Sequence, residues 1–390
     1  MTVIAALLLL YTLSIALLNK LFSYSTLLTQ QILDRSSPLD ALRGILATSV
    51  VCHHFITTYY WKTTGVWSRP DSDLLNNLGA VPVSLFFMIT GFLFLGKIYE
   101  SHPNWAKLLS SRVRRIMPLY LFVFAALILT TLIKTEFKFV HLGVLAKETL
   151  KWLIFFGASF NGFQDSIRMT AGAHWTLGYE WIFYLTLPLI AILFRKNGPR
   201  AYLLLSLLTL ALVTLGFYNN LIKPSLFQLF FLGFIPILIK KHLSYAVPLL
   251  QGKGAAFIAT ILIATALFQH EEYSTLQMLF LAVPFAIISL GNDIFGLLKN
   301  RGLKSLGEVS YSIYLTHGLI LYWAFSTFNI FDFSKAGVFT FIALLPVVLL
   351  VVSGTSVITY LFIEKPFMSS NKNKTKPISQ SLSTAKPTNI

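Results

Sequence analysis

Residues 39–55 read LDALRGILATSVVCHHF. Their apolar content is that of a membrane-spanning helix, yet they carry Asp40, Arg43, His53 and His54. An ionisable group near a bilayer centre costs about 2.5–3.5 kcal/mol on insertion scales, so such groups face the protein interior and mark functional sites. At about 100° per residue, Arg43 and His54 share one helix face to within about 20° and stand roughly 16 Å apart along the axis. His53 is turned away from Arg43 by about 80°. One face therefore offers a cation near its entrance and an imidazole deep inside.

The rest of the chain has the same character. Its 390 residues are 55% hydrophobic and 12% charged, against about 25% charged in soluble domains, and its mean hydropathy is +0.70. Apolar runs of bilayer-spanning length fall at 3–22, 40–60, 78–98, 116–134, 174–194, 201–218, 224–240, 254–269, 275–291, 311–328 and 337–362. A further stretch, 140–160, carries Lys147, Glu148 and Lys151 and reads as an amphipathic helix lying in the interface. With eleven spans and the N-terminus outside, the cytoplasmic segments hold 21 Lys and Arg and the outer ones 9, as the positive-inside rule requires. Making 140–160 a span would put RKNGPR (195–200), Lys240, Lys241 and the Lys-rich tail outside. The predicted class is an all-α polytopic membrane protein with its C-terminus in the cytoplasm.

The net charge of +16 sits in short loops between apolar runs. It reads as membrane topology and attraction to anionic headgroups. No basic helix with interleaved aromatics occurs, so no nucleic-acid partner is expected. Cys52 is the single cysteine; no intramolecular disulfide can form, and it reads as a small buried apolar residue. No metal site is expected. The opening run MTVIAALLLLYTLSIALL has no basic n-region and no clear small-residue cleavage site, so it reads as a retained anchor helix.

Two more segments carry unusual polarity. In HWTLGYEWIFYLTLP (174–188), Glu180 is the only acid well inside an apolar run, and Thr176, Glu180 and Tyr184 share a face. In the topology above, Glu180 and His54 lie at matched depth below the outer surface. A carboxylate on one imidazole nitrogen would fix the tautomer and leave the other nitrogen as a general base. In SSRVRRIMPLY (110–120), Arg112, Arg114 and Arg115 crowd the inner boundary beside Arg43. Guanidinium groups there suit a phosphorylated cosubstrate; no P-loop or dinucleotide glycine pattern is present. Each residue alone has a plainer reading: an interhelical histidine, a snorkelling arginine, a structural carboxylate. The shared face and the matched depth favour a site. Ser84, Thr90 and Gly91, and likewise Tyr311, Tyr314 and His317 in YSIYLTHG (311–318), read as close helix packing.

These segments resemble the acyltransferase-3 family of membrane O-acyltransferases. LDALRGILATSVVCHHF is similar to its Arg-x10-His opening, with Arg43 and His54 in register. VSLFFMITGFLF resembles its Phe-Phe-x-x-Ser-Gly-Phe-Leu segment. RVRRIMPLYL resembles its Arg-x-x-Arg-Ile-x-Pro-x-Tyr segment at Arg112, Arg115, Pro118 and Tyr120, and HWTLGYEWIFYLTLP its Trp-Ser-Leu-x-x-Glu-x-x-Phe-Tyr segment at Trp175, Glu180, Phe183 and Tyr184. LGEVSYSIYLTHGLIL and the closing IEKPF follow in the family's order, so the resemblance covers 39–367.

The resemblance implies ten core transmembrane helices, which makes 3–22 one extra N-terminal helix. It divides the chain into an anchor helix and cytoplasmic loop (1–38), a membrane acyltransferase domain (39–367) and a disordered cytoplasmic tail (368–390). It implies an integral protein of the bacterial cytoplasmic (inner) membrane. Acyl-CoA, in the usual case acetyl-CoA, would be the cosubstrate, and a hydroxyl of a surface polysaccharide or other glycan or glycolipid the acceptor. Arg43, Arg112 and Arg115 would hold the cosubstrate, and His54, oriented by Glu180, would act as base. An acyl-histidine intermediate is the other route. The chain departs from the family pattern at Ser84, often an acid, at Thr90, usually Ser, and at Trp181, often a second acid. Some members carry an extracellular hydrolase-like domain after the last helix; none follows here, so if this chain resembles the members that need such a partner, the partner is a separate chain on the outer side. The rival readings are a transporter or flippase for a glycolipid or acyl donor, disfavoured by the lack of an inverted repeat, and a scaffold, disfavoured by the buried His and Glu.

Overall fold

The computed structural model describes residues 2–25, 37–196, 198–214 and 222–369, and these are helical without a β-strand, one isolated bridge at Phe160 and Phe163 apart. The tail expected from 368 lies outside the described residues beyond Ser369, as does the end of the 201–218 run beyond Thr214. In chain order the main helices are α1 (Thr2–Ser23), α2 (Pro38–Thr64), α3 (Asp73–Glu100), α4 (Trp105–Lys134), α5 (Leu142–Leu153), α6 (Trp175–Leu193) and α7 (Arg200–Thr214). They continue as α8 (Pro224–His242), α9 (Lys253–Leu267), α10 (Thr275–Ser289), α11 (Arg301–Glu308), α12 (Ser310–Tyr322) and α13 (Val338–Met368).

The boundaries of α2 follow from local chemistry. Ser37 caps it by accepting from the Leu39 amide, Pro38 opens it, and Asp40 lies in its first turn, where a carboxylate complements the helix dipole. Gly65, at φ 77°, closes it with its amide on the Trp61 carbonyl. The helix is the centre of the bundle, packed against α3, α11 and α12, and Val51, Cys52, Phe55 and Ile56 are fully buried in it. The N-terminal α1 packs on α11 and α13: Tyr11 reaches the Thr48 hydroxyl at 3.1 Å, and the Asn19 side chain accepts from the Leu303 amide.

Among the described residues six helices are long and apolar enough to cross a membrane: α1, α3, α4, α6, α8 and α13. A seventh counts if α9 and the preceding Ser244–Leu250, bent by 75°, form one span; α7 and α10 are shorter apolar helices. By length and apolarity the chain is therefore an integral membrane protein, but fewer than eleven of the expected spans qualify. The reason is clearest in α2, whose 27 residues measure about 40 Å: its histidines and hydroxyls lower its hydropathy. The stretch 140–160 is helical only as the 12-residue α5, about 18 Å long and too short to span. Its end turns back, with Trp152 fully buried and bonded through its indole N–H to the Ser159 carbonyl at 3.0 Å, and Glu148 accepting from Ser159 and the Gly162 amide. His174 closes this turn onto the Gly157 carbonyl at 2.8 Å and so places the start of α6.

Candidate active site

Two cavities lie along α2, one at each end of its polar face. The larger, of about 850 Å³, gathers Arg43 from the first turns of α2, Thr90 from α3, Arg112 and Arg115 from the start of α4, Glu180 and Tyr184 from α6, and Lys365 from α13. The three arginines expected to act together thus share one space. Arg112 and Arg115, three residues apart, face it, whereas Arg114 bonds back to Ser110. Arg43 donates to the Ser310 hydroxyl at 3.1 Å and lies 3.6 Å from Asp40. Arg115 lies 3.8 Å from the buried Glu364. Arg112 stacks its guanidinium over Phe94 at 5.1 Å, and its Nε is buried with no hydrogen-bond partner. Elsewhere on the same guanidinium, Arg112 hydrogen-bonds the Tyr184 side chain. Four basic side chains, Arg43, Arg112, Arg115 and Lys365, and three acidic ones, Asp40, Glu180 and Glu308, line this cavity.

The smaller cavity, of about 320 Å³, is lined by His53 and His54 of α2, Arg69, Asn76 of α3, Trp175 and Tyr179 of α6, and Lys223, Glu272 and Tyr273. The loop carrying Glu272 and Tyr273 is braced by buried amides: Asn77 donates to the Leu267 and Gln269 carbonyls, and Gln277 accepts from the Tyr273 amide. Glu272 lies 3.1 Å from Arg69. Burial lifts its carboxyl above the usual range, against the opposing pull of Arg69. Aromatic faces with a few fixed polar groups around them are the usual lining of an organic-ligand pocket. Among the described residues, Val83 and Tyr314 line both cavities. Tyr314 is tied in place by the Thr176 hydroxyl at 3.0 Å and the Ala173 carbonyl at 3.1 Å.

Arg43 and His54 do open onto different ends of one face, but the expected pairing of His54 with Glu180 does not form. The Glu180 carboxylate accepts from the Tyr184 hydroxyl at 2.8 Å and from Thr90 at 3.5 Å, and it lines the arginine cavity. The cause lies in α6. Trp175 and Tyr179 point one stripe of the helix to the histidine cavity, and Thr176, Glu180 and Tyr184, rotated by about 100°, point the next stripe to the arginine cavity. Equal depth placed Glu180 and His54 on one level, and this azimuth separates them.

The partner of His54 is instead His317 of α12, fully buried, with its Nε2 3.1 Å from His54 Nδ1. His53 turns toward α3 and donates from Nδ1 to the Leu75 carbonyl at 2.7 Å. In the sequence alone, His317 and Tyr314 read as packing residues. The signal that could have raised them is their i, i+3 spacing, which puts both polar groups on one stripe of α12.

The family model of the acyltransferase-3 type, an acyltransferase domain, matches residues 38–362. The chain belongs to this family. No curated protein and no solved structure matches it.

Proposed function

We propose that this membrane acyltransferase moves an acyl group, acetyl in the simplest case, from cytoplasmic acyl-CoA to a hydroxyl of a surface polysaccharide or another glycosylated acceptor. His54 is the general base. The observation that carries this reading is the pair of cavities meeting at Val83 and Tyr314, with clustered arginines in one and His54 in the other. The topology remains that of ten core spans and one N-terminal span in a bacterial cytoplasmic membrane, with the N-terminus outside and the C-terminus inside. The arginine cavity then faces the cytoplasm and the histidine cavity the outer side.

In this reading the phosphates of acyl-CoA lie against Arg43, Arg112 and Arg115, and its flexible arm reaches past Tyr314. The span from Arg43 to His54, roughly 16 Å, sets the length it must cross. The acceptor hydroxyl gives its proton to His54 as its oxygen attacks the thioester carbonyl. The carbon–sulfur bond then breaks, the acyl group stays on the acceptor oxygen, and the imidazolium returns the proton to the leaving CoA thiolate. Glu180 faces the donor cavity and acts there, with Tyr184 and Thr90, instead of on His54.

Two cavities with a thin partition also fit a transporter or flippase that moves a glycolipid or acyl donor unchanged. The test is release of CoA from radiolabelled acetyl-CoA by purified protein in detergent, with and without crude surface glycans, beside the His54→Ala variant. Release by the wild type only, stimulated by glycan, is expected. Full turnover in His54→Ala would remove His54 from the chemistry. Translocation of an intact donor without thioester cleavage would favour the transporter.

A further inference from the structure

Resting on the reading of His54 as base, we infer that His317 is a positioning residue that fixes the tautomer of His54 and leaves the His54 Nε2 free of a proton. The inference follows from which atoms can donate. His317 Nδ1 lies 3.2 Å from the Ile313 carbonyl oxygen. A carbonyl only accepts, so this nitrogen carries the hydrogen. A neutral imidazole has one N–H, and His317 is fully buried with no acid in contact, so its Nε2 is a lone pair. That lone pair is 3.1 Å from His54 Nδ1, and His54 Nδ1 must then be the donor. The remaining nitrogen of His54 is the unprotonated Nε2, on a ring that lines the histidine cavity.

The bonds therefore run toward His54: the backbone of α12 orients His317, and His317, together with the Val50 carbonyl one turn back on α2, orients His54. No carboxylate takes part. A charged orienting group would have raised the basicity of His54 and cost several kcal/mol to bury. A second imidazole gives the same geometric control without a permanent charge inside the membrane. When His54 takes the acceptor proton, its Nδ1–H stays bonded to the His317 lone pair, so the transient imidazolium keeps a fixed acceptor. His53 cannot serve in this way, since its Nδ1–H is committed to the Leu75 carbonyl at 2.7 Å.

The test is ¹⁵N spectroscopy of histidine-labelled full-length protein in nanodiscs, with the His54 resonances assigned by their loss in His54→Gln. The expected spectrum shows His54 protonated on Nδ1 and bare on Nε2. Two variants extend it. His317→Leu should shift His54 toward the other tautomer and lower kcat by ~10-fold or more, a part of the 10²–10⁴-fold that positioned proton transfer supplies, with the KM for acetyl-CoA unchanged. His317→Gln, whose side-chain oxygen can accept from Nδ1–H, should restore much of both. A wild-type His54 protonated on Nε2, or a His317→Leu enzyme with wild-type kcat, would overturn the inference. The spectrum needs no turnover. If His54→Ala retains activity, the base reading fails while the tautomer result still decides the role of His317; if His317→Leu does not fold, the wild-type spectrum decides alone.

Discussion

The carbonyl oxygen of Asp40 lies 1.7 Å from the point where a Cβ on Gly307 would stand. The contact is answered from the other side, where a Cβ on Gly44 would meet the Leu303 carbonyl at 2.6 Å. Helices α2 and α11 therefore cross backbone to backbone, the packing that small residues permit in membranes, and Arg43 sits inside that crossing. Gly307→Ala has to push the two backbones apart. Overpacking of this kind costs about 1–3 kcal/mol and more where the obstacle is backbone. The expected result is a lower apparent Tm in detergent together with a raised KM for acetyl-CoA. Gly254→Ala in α9, where a Cβ meets nothing within 4 Å, should leave both unchanged. Equal Tm values for the two variants would show that the crossing relaxes freely.

The arginine cluster offers a comparison within four residues. Arg112 and Arg115 face the larger cavity, and Arg114 bonds back to Ser110. Arg112→Ala should raise the KM for acetyl-CoA by roughly 10- to 100-fold, the worth of one charge-assisted bond of about 1.5–3 kcal/mol, with a smaller effect on kcat. Lysine at this position should recover part of the loss, because it keeps the charge but not the planar fork. Arg114→Ala should match the wild type. Steady-state kinetics against acetyl-CoA check all three, and a larger effect at Arg114 than at Arg112 would mean that the donor lies elsewhere.

How much of this was legible in the sequence depends on whether the relation is local. The shared face of Arg43 and His54 follows from 3.6-residue periodicity within one helix, and the outward turn of Arg114 between two inward arginines follows from the same arithmetic. The apolar runs marked where helices lie, since each is long and bounded by charge. Relations between helices were not legible. Depth along the membrane normal can be counted in residues, but the rotation of α6 relative to α2 is set by packing around Tyr314, so Glu180 and His54 read as partners and are not. His317 lies 263 positions from His54, and nothing in YSIYLTHG says which helix it faces. The Gly307 contact belongs to the same class: a small residue is visible, its neighbour is not.

Glu180, bonded to Tyr184 at 2.8 Å and Thr90 at 3.5 Å, stands on the wall of the arginine cavity and does not bond His54. Glu180→Gln, which keeps the shape but leaves one acceptor oxygen and puts an amide donor in place of the other, should alter the KM for acetyl-CoA and leave the ¹⁵N resonances of His54 where they are. Had Glu180 oriented His54, the same substitution would move those resonances and reduce kcat with little change in KM. Spectrum and kinetics on the one variant separate the two outcomes.

Tyr314 lines both cavities, and its hydroxyl is fixed by Thr176 and by the Ala173 carbonyl, so its ring stands between the arginine cavity and the histidine cavity. In an acyltransferase such a partition keeps water from the thioester until an acceptor hydroxyl is in place. Tyr314→Phe keeps the ring and loses the two hydrogen bonds; it should slow transfer modestly and leave the partition shut. Tyr314→Ala removes the ring, at a stability cost of about 3–5 kcal/mol for a buried aromatic, and opens one cavity to the other. Release of CoA without acceptor should then rise roughly tenfold, a change of about 1.4 kcal/mol in the barrier, while glycan-dependent release falls. The assay is CoA release from acetyl-CoA with glycan omitted, on protein first shown to be folded by its elution profile. If acceptor-independent release stays at the wild-type rate, Val83 and its neighbours close the passage on their own, and the tyrosine acts only as a tie between α6 and α12.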